Sequence, residues 1–348
     1  MSSQTVFVGM SGGVDSSVSA LLLKEQGYKV IGVYMKNWSK DLPGMKCPWA
    51  EDLADAKRVA VKLGIDFEVW DFEEAYRNKV VEYMLEEFKK GNTPNPDIMC
   101  NQEIKFKLFY EKAMERKADF IATGHYARIT DGKLARAVDE NKDQTYFLYR
   151  ISDEALAHTI FPIGEMMKPE VKKMAEKNGL HNAYKKESMG VCFVGEVGMK
   201  DFLKEYIDIQ PGEIREIESE KVLGYHEGAV FYTIGQRHGL YLSGVAGETN
   251  DGMPYYVVKK DLDKNIVYVS KNLNNENIWT KELNLKDVIF RKKPTEKVLA
   301  RLRHRAPLIQ AIFDGEKLIF ESEIKRPASG QSAVLYDGEI CLGGGIIV

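Results

Sequence analysis

A short glycine-rich segment near the start of the chain has the residue types of an anion-binding loop. An apolar run at residues 6–10, typical of a buried strand, leads into Ser11-Gly12-Gly13-Val14-Asp15-Ser16, where a helical pattern begins. Adjacent glycines let a backbone approach an anion closely, and the free amides of a helix start favour negative charge. The segment therefore predicts a phosphate-binding loop, with Asp15 as the candidate ligand of a phosphate-bridging Mg²⁺ ion.

This loop also has a purely structural interpretation, in which Asp15 or Ser16 only caps the helix. Its position between a predicted strand and a predicted helix favours the phosphate site. The sequence contains neither G-x-x-x-x-G-K-[ST] nor G-x-G-x-x-G, so it does not support a Walker-type or a dinucleotide-type site.

Two of the four cysteines stand in contexts that suit a reactive thiol. Cys100 follows the proline-stiffened run Thr93-Pro94-Asn95-Pro96-Asp97 and precedes a predicted helix at residues 104–116. A thiol at a helix N-terminus has a lowered pKa, and Asp97 is placed to act as a base or to bind a substrate group. Cys192 lies between glycines, which predicts an accessible turn.

Sulfur transfer is the chemistry that two such thiols can perform if the fold brings them together. One cysteine would carry a persulfide, and the other would release the sulfur or close the cycle as a disulfide. The alternative for each is a small buried apolar residue, which is the interpretation given to Cys47 and Cys341. No C-x-x-C pair exists, which argues against a zinc ribbon or a thioredoxin-type site.

Two further groups are candidates for a functional role. His125 follows the predicted strand end at Thr123, where ligands of α/β sheets bind. Arg301, Arg303 and Arg305 alternate along a predicted strand, so a period of two places them on one face as a phosphate-binding stripe. The alternatives are a structural histidine and a solvated sheet face.

The elements that must position these residues form two patterns. Strands are predicted at residues 6–10, 29–34, 67–70 and 120–123, alternating with helices at residues 16–26, 51–63, 72–90 and 104–116. This alternation predicts an α/β fold with a doubly wound, mostly parallel sheet. From residue 214 onward the segments are short and β-rich, one of them at residues 228–234, and they predict a small central β-rich module and a C-terminal β-barrel. The predicted domains are 1–204, 205–275 and 276–348.

The composition is that of an ordinary globular protein with several cores. The chain has 348 residues, 44% hydrophobic content, 29% charged residues and a net charge of −3, so a general affinity for polyanions is not expected. Binding of nucleic acid would depend on local basic patches. The chain has no run of eighteen apolar residues and no signal-peptide pattern, so no membrane association is expected and the cytoplasm is the predicted location.

The loop S-G-G-x-D-S resembles that of the PP-loop ATP pyrophosphatase superfamily, whose members cleave ATP to AMP and pyrophosphate. Along nearly its whole length the chain resembles the tRNA-specific 2-thiouridylases. The matching stretches are residues 9–17, 35–38, 93–106, 122–126, 142–148, 190–195, 232–237 and 330–334.

The resemblance implies roles for individual residues. It implies that ATP is bound by Gly9, Met10, Ser11, Gly12, Gly13, Val14, Asp15, Ser16, Met35 and Gly124. It implies that Asn95, Pro96 and Asp97 contact the target base, with Cys100 as nucleophile and Cys192 as persulfide carrier. It implies that tRNA is contacted by His125, Lys142, Asp143, Gln144, Arg303, His304 and Gln331. The implied partners are ATP, Mg²⁺, a tRNA whose wobble uridine is thiolated at C2, and a persulfide-donor protein.

The chain departs from the family pattern at three positions. Glu187 and Met189 stand where an aspartate and a threonine are usual before the second cysteine, and His304 replaces a usual tyrosine. Three other functions remain open at this point: a PP-loop ligase for a small molecule, an RNA-binding scaffold with a relic loop, and a thiolase acting at another tRNA position.

Overall fold

The first unit is a parallel sheet with helices on both faces. The computed structural model describes residues 3–41, 47–186, 198–240, 242, 253–272, 274–292, 294 and 296–348. The strands of this unit are β1 Thr5–Gly9, β2 Lys29–Lys36, β3 Asp66–Asp71, β4 Phe120–Thr123, β5 Ala127–Thr130, β6 Lys133–Arg136 and β7 Thr159–Ile160. The parallel sheet has the order β3-β2-β1-β4-β7. Val6, Phe7 and Val8 of β1 are buried, as expected for a central strand covered on both faces.

The helices cover this sheet and link it to the next unit. They are α1 Val14–Glu25, α2 Trp49–Leu63, α3 Glu73–Tyr76, α4 Glu82–Lys89, α5 Pro96–Met99, α6 Phe109–Glu115, α7 Asp153–Ala157, α8 Lys168–Lys177 and α9 Met199–Tyr206. Two π-helical stretches, Arg77–Val81 and Cys100–Leu108, join α3 to α4 and α5 to α6 without a break. Among the described residues, no helix is both long and apolar enough to cross a membrane.

The strand order reverses at β1, which has β2 on one side and β4 on the other. In this register Gly9 lies opposite Val33 of β2 and Thr123 of β4. Ligands of open α/β sheets bind beyond the carboxyl ends of the strands at such a switch point. The loop after β1 and the residues after β4 therefore lie at the same edge of the sheet.

Two β-rich units complete the chain, and the predicted fold class is confirmed. The central sheet has the order β10-β11-β8-β9, built from β8 Gly212–Glu216, β9 Val222–His226, β10 Tyr256–Asp261 and β11 Ile266–Ser270. The C-terminal strands are β12 Trp279–Phe290, β13 Lys297–Arg301, β14 Ile309–Phe313, β15 Lys317–Lys325, β16 Ser332–Asp337 and β17 Ile340–Ile347. Because β12 pairs with both β15 and β17, these six strands close into a barrel.

The first unit extends the barrel sheet through the β5–β6 hairpin, in which Ala135 pairs with Ile340 of β17. The strand predicted at residues 228–234 is wrong, because Ala229–Phe231 forms a short 3₁₀ helix there. The predicted domain boundary after residue 204 falls within α9, and the boundary after residue 275 falls shortly before β12.

Candidate active site

The loop after β1 lies at the switch point and leads into a helix start that has no side-chain cap. Gly12 has φ +79°, and Gly13 is the N-cap of α1 with no side-chain cap hydrogen bond. The hydroxyls of Ser11 and Ser16 lie 3.3 Å apart, and Ser16 Oγ donates to Gly13 O at 3.1 Å. Because the first amides of a helix have no intrahelical acceptor, this uncapped end can accept an anion. Met10 and Val14 are buried and hold the two ends of the loop.

Gly124, at the end of β4, allows a close approach to this loop. A Cβ added at Gly124 would lie 2.6 Å from the backbone nitrogen of Ser16 and 2.8 Å from the carbonyl carbon of Asp15. On the other side of β1, the methyl group of Met35 lies 2.9 Å from the ideal Cβ position of Gly9. Gly9, Met35 and Gly124 therefore lie around the C-terminal end of β1, and their contact with ATP stays a prediction.

Asp15 is held by an ion pair that the sequence did not reveal. Lys168 Nζ lies 2.7 and 2.8 Å from the two carboxylate oxygens, and the Tyr126 hydroxyl donates to Oδ1 at 2.9 Å. The Lys168 side chain is 8% exposed, so its ammonium group is buried against the loop at Asp15. Asp15 has the donor chemistry for Mg²⁺, but it can take that role only if Lys168 gives up at least one carboxylate oxygen. A lysine in the first turn of a helix opposes the helix dipole, which is the sequence signal that was missed.

Cys100 lies one turn inside a helix rather than before it. The helix begins at Pro96, not at residue 104, so the free amides of the first turn precede Cys100, whose own amide already donates within the helix. The argument for an N-terminal thiol is therefore wrong, because the dipole effect falls off within that turn. Cys100 is 3% exposed and packs in an apolar cluster with Trp38, Ile104 and Phe202.

Asp97 occupies the first turn of the same helix and is half-buried. Burial raises the pKa of its carboxyl group above the ordinary value, and the positive charge of Lys105 opposes that rise. A carboxyl group in this state can exchange a proton with a substrate closer to neutral pH than a solvated aspartate can. Asn95 is the N-cap of the helix, and Pro96 supplies its first residue.

His125 lies between the end of β4 and the cysteine-bearing helix. Its Nδ1 lies 2.7 Å from Thr123 Oγ1, and its ring lies 5.7 Å from Phe106 and 6.3 Å from Phe161. Burial lowers the pKa of His125 well below its ordinary value, and Lys105 lowers it further, so the ring is neutral. Its predicted tRNA contact stays a prediction, since the side chain is 8% exposed.

The segment before Cys100 is fixed by both β-rich units. Gln331 Nε2 donates to Thr93 O at 2.7 Å, and Thr93 N donates to Ser329 O at 2.8 Å. Thr93 Oγ1 also lies 3.3 Å from Thr233 Oγ1 of the central unit. A Cβ at Gly330 would lie 3.1 Å from the backbone of Thr93. Gln331 thus orients the segment that contains Asn95 and Asp97. The predicted contact of Gln331 with tRNA stays a prediction.

Residues 142–144 face the barrel as well as the solvent. Asp143 is 1% exposed, and Arg301 Nη1 lies 2.6 Å from its Oδ2. Gln144 Oε1 accepts from Tyr126 N at 2.9 Å, while Lys142 is half-buried. The structure therefore places the Asp143 carboxylate on an internal ion pair.

The predicted arginine stripe on one strand is wrong. Strand β13 ends at Arg301, which is buried, whereas Arg303 and Arg305 are exposed on the following turn. His304 lies between them with its ring 4.5 Å from that of Phe147, and burial lowers its pKa to about 4. Arg303 and Arg305 remain a basic surface beside the barrel. Cys192 lies outside the described residues, so its distance from Cys100 stays untested.

Three family models match successive parts of the chain. They are the tRNA methyl transferase HUP domain at residues 4–196, the tRNA methyl transferase PRC-barrel domain at residues 200–271 and the aminomethyltransferase beta-barrel domain at residues 278–347. Fold and family model together define an α/β domain of the HUP class joined to two β-rich units.

Full-length relatives give the family itself. A Lysinibacillus sphaericus protein named tRNA-specific 2-thiouridylase MnmA is 46% identical, with 98% of this chain and 93% of that protein covered. Proteins of the same name from Exiguobacterium sibiricum and Pseudomonas savastanoi pv. phaseolicola are each 47% identical, covering 99% and 98% of this chain and 93% of their own lengths. The chain belongs to the tRNA-specific 2-thiouridylase MnmA family, so the resemblance seen in the motifs is confirmed.

Proposed function

We propose that this protein is a tRNA 2-thiouridylase, a sulfurtransferase that replaces the C2 oxygen of a wobble uridine by sulfur. The observation that carries the proposal is the shared edge of the parallel sheet. There the uncapped α1 loop lies against Gly124, and neighbouring His125 contacts Phe106 of the helix that holds Cys100. Family membership at 46–47% identity over nearly the whole chain supports the same function.

ATP fits the loop of residues 11–16 as the activating substrate. The free amides of α1 and the hydroxyls of Ser11 and Ser16 suit the phosphates, and Lys168 supplies the cation that a Walker lysine supplies elsewhere. Asp15 is the proposed Mg²⁺ ligand. ATP would supply the adenylyl group that makes the uridine C2 oxygen a leaving group.

The sulfur chemistry is assigned to Cys192 and Cys100. A persulfide on Cys192 attacks C2, and the C–O bond breaks as the oxygen leaves with AMP. Cys100 then attacks the Cys192 sulfur, which breaks the S–S bond, leaves the sulfur on C2 and forms a Cys100–Cys192 disulfide. A cellular dithiol must reduce that disulfide before the next turnover. Asp97 holds or accepts the proton of the target base.

The tRNA would lie across the first unit and the barrel. Arg303 and Arg305 supply exposed charge in a chain whose net charge is −3, so the affinity depends on this local surface. We further propose contacts from His125, Lys142, Gln144, His304 and Gln331, a persulfide-donor protein as sulfur source, and a cytoplasmic location. The domain division 1–204, 205–275 and 276–348 is part of the same proposal.

Nucleoside mass spectrometry tests this function directly. The wild-type protein, incubated with tRNA, Mg-ATP and a persulfide source, should give 2-thiouridine and release pyrophosphate. Cys100→Ala should abolish the thiolated nucleoside while ATP binding persists, whereas Cys341→Ala, on β17 in an apolar cluster shared with the first unit, serves as the control cysteine. A methylated nucleoside, as the names of two family models suggest, would overturn the proposal. So would pyrophosphate release that needs a small-molecule acceptor and no tRNA.

A further inference from the structure

The turn that follows α8 reaches the loop of residues 11–16 through one buried amide side chain. Asn182 is 2% exposed, and its Nδ2 donates to Gly12 O at 2.8 Å and to Ser17 Oγ at 2.9 Å. Ser17 Oγ donates in turn to Gly13 O at 2.9 Å. The carbonyl groups of both loop glycines are therefore held from the side of Asn182, that of Gly12 directly and that of Gly13 through Ser17.

A held carbonyl group also sets the direction of the amide that follows it. The two groups belong to one planar trans peptide, in which C=O and N–H point in opposite directions. The Gly12 carbonyl thus fixes the N–H of Gly13, and the Gly13 carbonyl fixes the N–H of Val14, the first residue of α1. Gly13 N makes a long contact of 3.4 Å with Oγ of the exposed Ser11, which an anion can replace. Both amides therefore point away from the buried Asn182.

The Asn182 side chain contributes its two donors at this position. Its Oδ1 is buried and accepts no hydrogen bond within the described part of the chain. Because Gly12 O can only accept, the atom that faces it must be the amide nitrogen. A buried acceptor without a donor costs free energy, which an apolar side chain of similar size would avoid. The donors aimed at the loop are thus what distinguishes asparagine from leucine here.

The turn is fixed in place around this amide. Leu180 and Ala183 are 3% and 2% exposed and belong to the same apolar cluster as Val14 of α1. At the other end of α8, Lys168 binds both carboxylate oxygens of Asp15. Helix α8 and its following turn are therefore attached to the loop at two points, by an ion pair and by an amide. A side chain held in this way can resist displacement of the loop when a charged ligand binds.

We propose that Asn182 is a positioning residue of the phosphate-binding loop, which turns the amides of Gly13 and Val14 toward the phosphates of ATP. The inference rests on the proposed function, in which that loop binds ATP. Asn182 lies behind the loop and acts through the glycine carbonyls. Each amide directed at an anion adds about tenfold or more to its affinity, because a hydrogen bond to a charged group is stronger than one between neutral groups.

A role in stability alone predicts a different pattern of binding. Loss of the folded state lowers the affinity for every part of the nucleotide alike. Misdirected loop amides instead lower the affinity for the phosphates and leave the affinity for the adenosine part unchanged. Inorganic pyrophosphate and adenosine, titrated as separate probes, therefore distinguish the two roles.

Calorimetric titration of the whole chain measures the dissociation constants for Mg-ATP, pyrophosphate and adenosine. Asn182→Leu removes both donors at similar volume, and Ser17→Ala removes only the link to Gly13 O. Asn178→Leu is the matched control, because Asn178 Nδ2 also donates to a backbone carbonyl, that of Met174 at 2.9 Å, but does so within α8. In Asn182→Leu the dissociation constants for Mg-ATP and pyrophosphate should rise at least about tenfold, with that for adenosine unchanged. Ser17→Ala should raise the same two constants by a smaller factor, and the control should keep wild-type values.

The outcomes separate this inference from the function on which it rests. If wild type and Asn182→Leu bind Mg-ATP equally well, or if Asn182→Leu loses affinity for adenosine as much as for pyrophosphate, the inference is overturned. Thermal unfolding is measured for each variant; if Asn182→Leu does not fold, Ser17→Ala decides, and an unchanged affinity for pyrophosphate in that variant overturns the inference. A loss in Asn178→Leu equal to that in Asn182→Leu refutes the specific contacts. A wild-type protein that binds neither Mg-ATP nor pyrophosphate overturns the proposed function itself, and the inference falls with it.

Discussion

Replacing Asp143 by asparagine separates two roles for this carboxylate, an internal ion pair and a contact with tRNA. Asp143 Oδ2 lies 2.6 Å from Arg301 Nη1, and the two side chains are 0% and 7% exposed. Asp143 also accepts from Thr145 Oγ1 at 3.0 Å and from Ala137 N at 3.2 Å. The pair joins the loop after β6 to the end of β13, so it connects the first unit to the barrel.

The size of the effect follows from burial. Asp143→Asn keeps the shape but leaves the Arg301 guanidinium buried without an anion, which costs about 3–5 kcal/mol. Arg301→Met leaves the Asp143 carboxylate buried without a cation, and it should lower the free energy of unfolding by a similar amount. The double variant removes both charges, so it should be clearly more stable than either single variant, because no uncompensated charge remains.

Urea unfolding, followed by tryptophan fluorescence, measures the free energy of unfolding of each variant. The affinity for tRNA is measured separately, at one salt concentration and at a urea concentration well below the unfolding midpoint. Glu140→Gln is the matched control, since Glu140 lies in the same loop but its side chain is 75% exposed and its pair with Arg136 is worth about 1 kcal/mol at most. Both single variants should unfold at lower urea, and the double variant should recover much of the loss. If Asp143→Asn keeps wild-type stability but binds tRNA more weakly, this reasoning is refuted and the predicted contact of the Asp143 side chain with tRNA is supported instead.

Three further predictions concern the nucleotide loop and the contact between units. Gly124→Ala places a methyl group 2.6 Å from Ser16 N and must displace the loop, so the KM for ATP in pyrophosphate release should rise at least about tenfold; an unchanged KM contradicts this. Lys168→Met should also raise the KM for ATP, whereas Lys172→Met, on the same helix, should not. Lys260 donates to Gly91 O, and burial lowers its pKa to about 8 from 10.5. Between these values the folded protein has released the proton that the unfolded chain still binds, so stability should rise with pH relative to Lys260→Met. Parallel pH profiles for both proteins would contradict this.

The parts of the site that were predictable from the sequence are those set by local patterns. An apolar run followed by glycines and a helical pattern identified the loop of residues 11–16, because strand, turn and helix each leave their own signal within a few residues. The alternation of strands and helices predicted the parallel sheet. The carboxyl edge of that sheet is where Gly124 contacts the loop. Motif resemblance supplied the roles of single residues.

The parts that were not predictable depend on contacts between distant segments. The place of Lys168 in a first helical turn indicates only a lysine that opposes the helix dipole, and the sequence does not show that its ammonium group reaches Asp15. The Asp143–Arg301 pair likewise joins residues of different units. Arg301 was assigned to the surface because its alternation with Arg303 suggested one strand face, but the strand ends at Arg301. The position of Cys100 was misjudged because Pro96 starts the helix earlier than the apolar pattern does.

In the proposed function, burial of Cys100 gives the two β-rich units a part in catalysis. A thiol that is 3% exposed among Trp38, Ile104 and Phe202 cannot meet a persulfide until its cover moves. The chain leading into this helix is held at Thr93 by Gln331 of the barrel and by Thr233 of the central unit. In the proposed function, a tRNA bound across the barrel acts on the same backbone that sets the helix start. The free protein would then keep its proposed nucleophile covered, and tRNA binding would supply the free energy to expose it.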